Sequence, residues 1–195
     1  MLQPMTRLIG ISGALRQASF NTALLNAAIE LAPAGCELVA GSIRGIPLYD
    51  GDVEAAEGIP PAVAALKNQI AQADGLVLFT PEYNNGIPGV FKNAIDWLSR
   101  PASDIGRVFG GKPVAVCGAS PGGFGTILSQ AAWLPVLRTL QADAWSGGRL
   151  MVARANTLMD ADGRLADEAT RKRLAAFIAD FAAYVQSRGG AAAQP

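Results

Sequence analysis

Apolar positions along this chain come in two alternating rhythms. Leu8-Ile9-Gly10-Ile11, Cys36 to Ala40, Gly75 to Thr80 and Lys112 to Gly118 are short, nearly continuous apolar runs, the pattern of strands covered on both faces. Between them the spacing turns helical. It predicts helices from Thr22 to Leu31, from Pro60 to Gln72 through Val63, Leu66 and Ile70, and from Val90 to Leu98. Another starts at about Ile127, carries Trp133 and is interrupted or kinked near Pro135. A last one runs from Asp167 to Arg188 with Leu174, Phe177, Ile178, Phe181 and Val185 on one stripe. Ala144-Trp145 with Leu150-Met151-Val152 reads as a fifth, irregular strand.

The punctuation agrees with this register. Pro33-Ala34-Gly35 stops the first helix, Gly45 to Gly58 is a long connection, Arg100 to Gly111 a polar, glycine-rich one, and Asp160-Ala161-Asp162-Gly163 a turn. The expectation is a single domain over residues 1–188, with a disordered tail at 189–195. Strands alternating with helices imply an α/β fold: a three-layer, doubly wound, five-stranded parallel sheet in the order 2-1-3-4-5. Right-handed crossovers place every strand-to-helix loop along one edge of such a sheet, so the loops after strands one, three and four converge.

Those loops carry the candidate chemistry. The first, Ser12 to Thr22, leaves a strand and enters a helix, where backbone N–H groups are free; it adds the hydroxyls of Ser12, Ser19 and Thr22, the amide of Asn21 and the cation of Arg16. It lacks the Gly-Lys-Ser/Thr ending of a triphosphate loop and the three glycines of a dinucleotide fingerprint. Hydroxyls, an amide and one guanidinium suit a terminal monophosphate. An ordinary helix cap by Ser19 or Asn21, with Arg16 in water, accounts for the same residues. The second loop, Pro81 to Gly89, is stiffened by prolines and glycines around Tyr83 and suits the edge of a flat ring. The third, Ala119 to Thr126, completes with the preceding glycine the run Gly118-Ala119-Ser120-Pro121-Gly122, which satisfies the G-x-S-x-G nucleophile pattern. One loop for a phosphate and two for a planar ring describe flavin mononucleotide.

Composition removes rivals. The chain has no histidine, so a serine hydrolase has no base, and imidazole zinc sites go with it. Sixteen basic residues balance sixteen acidic ones, so neither nucleic acid nor an anionic membrane is indicated as a partner. Asp50, Asp52, Glu54 and Glu57 lack an ordered ligand spacing, and no metal is expected there. Cys36 and Cys117 read as buried thiols rather than a pair. With no long apolar segment, the chain reads as cytoplasmic.

On Gly10-Ile11-Ser12-Gly13, Leu15-Arg16, Ser19-Phe20-Asn21, Ile46-Pro47-Leu48-Tyr49, Thr80-Pro81-Glu82-Tyr83-Asn84 and Lys92-Asn93-Ala94-Ile95-Asp96-Trp97, the chain resembles the NADPH-dependent FMN reductase family of flavodoxin-like proteins, and within it the bacterial quinone, chromate and azo-compound reductases. The likeness extends to about Arg188 and implies FMN as cofactor, with NADPH or NADH as cosubstrate. It implies that Ser12, Leu15, Arg16, Ser19, Asn21 and Thr22 hold the phosphate end. Pro81, Glu82, Tyr83 and Asn84 would line the ring on one side, and Ser120, Gly122, Gly123 and Phe124 on the other. The flavin would carry the chemistry, reducing quinones or similar small acceptors with no catalytic side chain; Glu82 and Tyr83 would modulate it, Glu82 turned away from the ring or paired with a cation. Relatives form homodimers or homotetramers. Departures are Ala14, Asn85 and Pro135, where relatives carry a second polar residue, a Tyr and an Arg. A flavodoxin-like electron carrier and a fold that has lost its flavin are the alternatives.

Overall fold

The computed structural model describes residues 5–191. Strands β1 (Thr6–Ser12), β2 (Cys36–Gly41), β3 (Gly75–Phe79) and β4 (Pro113–Ala119) are parallel and lie in the order β2-β1-β3-β4. The fifth position is shared by two fragments, β5 (Asp143–Ala144) beside the start of β4 and β6 (Leu150–Val152) beside its end. The expected order 2-1-3-4-5 therefore holds, and the irregularity of the last strand has a cause. Trp145 leaves the strand to pack edge-on against Phe177 and at a tilt against Phe181, at 5.2 and 5.3 Å between ring centres, and closes over Gly147 and Gly148. A side chain at either glycine would collide with the indole.

Residue alternation on the strands builds two cores. Leu8, Val77, Phe79 and Cys117 face α1 (Phe20–Glu30) and α7 (Glu168–Ala191). Ile9, Ile11, Leu76 and Leu78 face α3 (Pro61–Gln72), α4 (Gly89–Leu98) and α6 (Ile127–Thr139). All five apolar residues of the expected α7 stripe are buried against the first core. The central strand β3 is buried at every position, as its unbroken apolar run predicts.

Several boundaries differ from the sequence reading. The connection from Gly45 to Gly58 holds a helix, α2 (Gly51–Glu57), which Asp50 starts by accepting the Asp52 N–H at 2.9 Å. Of the acidic residues there, Asp50 caps the helix and Glu54 accepts from Arg100 at 2.8 Å and from the Tyr49 hydroxyl at 3.0 Å. The next connection holds a short helix, α5 (Ile105–Val108), and buries Val108 and Phe109 completely. Helix α6 is not interrupted at Pro135; it continues to Thr139, losing only the bond that a proline cannot donate. Helix α7 begins one residue later than expected, because Asp167 caps it by accepting the Thr170 N–H at 2.8 Å, and it continues to Ala191, past the predicted boundary at Arg188. The rest of the expected tail, 192–195, lies outside the described residues.

Beneath the sheet's rim, Lys67 is 3% exposed and pairs with Asp104 at 2.7 Å, while Arg107 grips the same carboxylate at 2.6 Å. The Arg107 guanidinium and then the Lys67 ammonium hold the Asp104 carboxyl well below the usual carboxylate range. Asp104→Asn leaves Lys67 with the Arg100 carbonyl as its remaining acceptor. The loss is expected to be about 2 kcal/mol at neutral pH, less than for a fully buried pair because Asp104 keeps some water contact. A depressed folded pKa gives stability that is present above the unfolded value, about 3.9, and is lost as the pH falls through the folded value. Urea midpoints of wild type and variant should therefore converge on acidification below about pH 4.

Candidate functional site

At the carboxyl edge of the sheet the turn from β1 into α1 leaves its backbone donors free. No N–H from Ala14 to Asn21 has an acceptor among the described residues. Ser19 is the cap of α1: its backbone is extended and its Oγ accepts from Thr22 N at 3.2 Å. Ser12 Oγ and Thr22 Oγ1, 2.9 Å apart, tie the strand end to the first helical turn. The Arg16 guanidinium lies over the Phe20 ring, 5.0 Å from its centre, and Arg44 donates to the Leu15 carbonyl, fixing the loop's outer side.

Asn21 has a bracing role that the sequence did not signal. Its amide nitrogen donates to the Ala119 carbonyl and its oxygen accepts the Ala119 N–H, both at 2.9 Å and both buried. This pair of bonds extends the strand pattern of β4 by a side chain and locks the first loop to the third. Asn21 thus braces the site as well as lining it.

The loop after β3 is rigid for a reason the prolines only partly signalled. Tyr83 and Gly86 exchange backbone hydrogen bonds at 3.2 and 3.1 Å, and the two residues between them, Asn84 and Asn85, both have positive φ (51° and 62°), as a type I′ turn requires. Behind it, Thr80 Oγ1 donates to the Pro81 carbonyl at 3.0 Å, receives Trp133 Nε1–H at 3.0 Å and meets Ser129 Oγ at 2.8 Å. Glu82 reaches across to α6, where its Oε2 accepts Leu128 N–H at 2.8 Å and Ser129 N–H at 3.0 Å. The family resemblance implies a Glu82 turned away from the ring or paired with a cation; its partner in the structure is a helix N-terminus, where a carboxylate is favoured by both the free N–H groups and the dipole.

The loop after β4 explains its own motif. A side chain at Gly118 would meet the Thr80 carbonyl oxygen at 2.1 Å, so glycine is required for the close approach to the β3 exit. The Ser120 hydroxyl donates to the Gly125 carbonyl, bracing the Pro121–Gly125 bend, and its backbone joins the β6 side through Val152 and Ala155, at 3.0 Å each. Among the described residues the N–H groups from Gly122 to Ile127 find no acceptor. The G-x-S-x-G spacing is thereby accounted for without a nucleophile. Nor do the thiols offer one: burial pushes both Cys36 and Cys117 upward, Cys117 being fully enclosed.

The three loops flank a half-open recess of about 70 Å³. Of the expected site residues it brings together Arg16, Ser19, Asn21, Pro81, Glu82, Tyr83 and Ser120; Ala14, Phe20, Ala119 and Pro121, outside the expected cofactor-binding set, complete its wall. Ser12, Leu15, Thr22, Asn84, Gly122, Gly123 and Phe124 are not among its lining residues. Tyr83 (47% exposed) and Phe124 (82%) stand open to water on the rim. The recess fits a small anion at the head of α1, while exposed aromatics and partnerless N–H groups above it suit a flat ring carrying polar edges.

The family described as NADPH-dependent FMN reductase matches residues 6–157. An NAD(P)H-dependent FMN reductase of Pseudomonas aeruginosa is 45% identical over 166 residues, covering 85% of this chain and 88% of the relative. A 2-hydroxy-1,4-benzoquinone reductase of Burkholderia is 39% identical over 178 residues, covering 91% and 95%, and a quinone reductase of Escherichia coli K12 is 37% identical, covering 92% and 95%. Among solved structures, the flavoenzyme NAD(P)H:(acceptor) oxidoreductase FerB of Paracoccus denitrificans superposes with a TM-score of 0.82 at 33% identity, over 93% of this chain and 98% of that one.

The Glu82 contact generates a stability prediction. Glu82→Ala frees two N–H groups at the start of α6 and should cost about 1 kcal/mol, whereas Glu82→Gln keeps an acceptor and should recover most of it. Denaturant midpoints of the two variants check this; equal losses would mean that the hydrogen bonds do not carry the effect.

Proposed function

The chain belongs to the NADPH-dependent FMN reductase family, and on that premise we propose that it is an NAD(P)H-dependent oxidoreductase that uses FMN to reduce quinones or similar electron-poor acceptors, such as azo compounds, chromate or free flavin. One observation of this molecule carries the reading: the row of backbone N–H groups from Ala14 to Asn21 that find no protein acceptor at the head of α1. Such a row, beside a guanidinium and a capping hydroxyl, is a phosphate receptor. FMN, when bound, supplies the redox chemistry, accepting a hydride from the nicotinamide and giving up its electrons to the acceptor.

The protein's part is to bind and orient. The Arg16 guanidinium, the Ser19 hydroxyl and the loop amides hold the phosphate, with Ser12, Leu15, Asn21 and Thr22 keeping that loop in shape. Pro81 to Asn84 form one wall for the ring; Ser120, Gly122, Gly123 and Phe124 form the other. The free N–H groups between Gly122 and Ile127 are placed to stabilise negative charge on the ring edge. Glu82 would otherwise oppose that charge. Its commitment to the α6 N-terminus supports a role as a modulator acting through loop position rather than as an acid or base. Tyr83, at the rim, is the other modulator. No side chain serves as proton donor or acceptor, in keeping with a chain that has no histidine.

Compartment and assembly belong to the same proposal. No described helix is long and apolar enough to cross a membrane, and a cytoplasmic enzyme working on small acceptors fits the neutral charge balance. Exposed Phe124, Leu128 and Leu134 near the site support a homodimer or homotetramer that covers them. A carrier docking to protein partners by charge is less well supported by sixteen charges of each sign.

The combined Arg16→Ala and Ser19→Ala variant should weaken FMN binding by about 2–4 kcal/mol, or roughly 30- to 1,000-fold, as loss of a charge-assisted and a neutral hydrogen bond implies. Quenching of flavin fluorescence measures it. Unchanged affinity would place the phosphate elsewhere, and absence of FMN binding by the wild type would remove the proposed activity.

A further inference from the structure

Cations are distributed unevenly over this neutral chain. At the amino edge of the sheet Arg7 pairs with Glu37 at 3.8 Å, and elsewhere Lys67, Lys92, Arg100 and Arg107 each hold a carboxylate. The carboxyl edge is different. Arg16, Arg44 and Arg154 follow β1, β2 and β6 there, all three are exposed, and none has a carboxylate partner among the described residues. Arg16 lines the recess at the head of α1, but Arg44 does not, so the flavin phosphate leaves Arg44 unassigned.

Arg44 is nevertheless held in a defined place. Ile43, 5% exposed, pins the end of β2 into the second core, the Ser42 hydroxyl accepts the Arg44 N–H at 3.2 Å, and Gly45, with φ 77°, turns the chain away. The side chain crosses to the first loop, where Nη2 donates to the Leu15 carbonyl. A guanidinium carries several further donors in a planar fork, and here none of them has an acceptor among the described residues. With neighbouring strands roughly 4.8 Å apart, the exit of β2 lies about 10 Å from that of β3, on the far side of the phosphate cradle from the ring walls. A second molecule lying on the ring and extending past the cradle would bring its own phosphates to this fork.

We propose that Arg44 selects the nicotinamide cosubstrate: its guanidinium receives the 2′-phosphate of NADPH, the group that NADH lacks. The inference rests on the reading that the head of α1 receives the flavin phosphate. That phosphate is already served by Arg16, Ser19 and the free loop amides, whereas a 2′-phosphate is a second monoester, with a charge near minus two and oxygens spaced to accept two parallel N–H bonds from one fork. Bracing the Leu15 carbonyl keeps the fork from swinging into water, so the same side chain is both fixed and available.

Arg44→Gln removes the charge and the fork. On the FMN-loaded, full-length protein kcat and KM are measured for NADPH and for NADH, and calorimetry measures the binding of adenosine 2′,5′-bisphosphate and of AMP, which needs no turnover. The wild type should favour NADPH by about tenfold or more in kcat/KM and bind the bisphosphate more tightly than AMP by a similar factor. In Arg44→Gln both ratios should fall to within about threefold of unity, through a higher KM for NADPH with the KM for NADH unchanged. A wild type indifferent to the 2′-phosphate, a variant that keeps both ratios, or their collapse in Arg154→Gln instead would overturn the proposal. So would an equal loss for both cosubstrates or a loss of FMN affinity alone, because Arg44 would then only brace Leu15. Should Arg44→Gln fail to retain FMN, Arg44→Lys keeps a charge and a donor for Leu15 but not the fork; the NADPH preference should then drop by about threefold or more, and an unchanged preference overturns the assignment. A wild type that binds no FMN, or that oxidises neither nicotinamide, strikes the proposed function instead, so the two failures are distinct.

Discussion

Everything at the working edge of this molecule follows from backbone donors that the fold cannot satisfy by itself. A parallel strand that ends and turns directly into a helix gives up its ladder before the helix has begun its own, so the N–H groups of the turn and of the first helical residues point outward without acceptors. Here that happens at the exits of β1 and β4, and parallel topology sends both to the same edge of the sheet. Leaving such groups dry would be costly, and leaving them to water would waste their alignment as a binding surface. An anionic or hydrogen-bond-accepting ligand is the natural complement.

For that surface to bind tightly its loops must already hold their shape, and this chain achieves that with side chains that act as pieces of backbone. Asn21 presents an amide to Ala119 as a neighbouring strand would. Glu82 stands in for the missing cap of α6, whose own Thr126 makes no capping bond. Ser120 closes its bend onto Gly125, and Thr80 binds the β3 exit to Trp133 and Ser129. These bonds join the first loop to the third, tie the exit of β3 to α6, and close the third loop on itself. Ordering entropy is thus met by folding rather than by ligand binding, the condition for preorganised recognition. It also follows that polar residues in such loops divide into those that face a ligand and those that position the ones that do.

That division is what the sequence did not disclose. Periodicity placed the strands and long helices because burial on both faces of β3 and on one stripe of α7 leaves its mark directly on the order of residues. The loop chemistry was legible as composition: hydroxyls, an amide and Arg16 around one helix start. Partner choice was not, because Asn21 is equally able to cap its own helix, hold a phosphate or pair with Ala119, and the choice depends on residues 98 positions away. The same holds for Glu82, whose acceptor role lies 46 and 47 positions along the chain. Helix α2 escaped notice because a seven-residue acidic helix with no buried residue has no apolar stripe to announce it.

The missing histidine can now be placed among these constraints. An enzyme whose own side chains move protons needs an acid or base free at the reacting atoms, and here Glu82 is committed to a helix end and Ser120 to a carbonyl, while the thiols lie elsewhere and are pushed upward by burial. What remains is a rim of fixed dipoles and one guanidinium, able to bind, align and polarise but not to exchange protons. A site so built can support catalysis only when the reacting group arrives with the ligand. Its selectivity then depends on which ligands the dipoles fit, and a broad range of flat, electron-poor acceptors is expected from a surface whose exposed members, Tyr83 and Phe124, recognise planarity more than substituents.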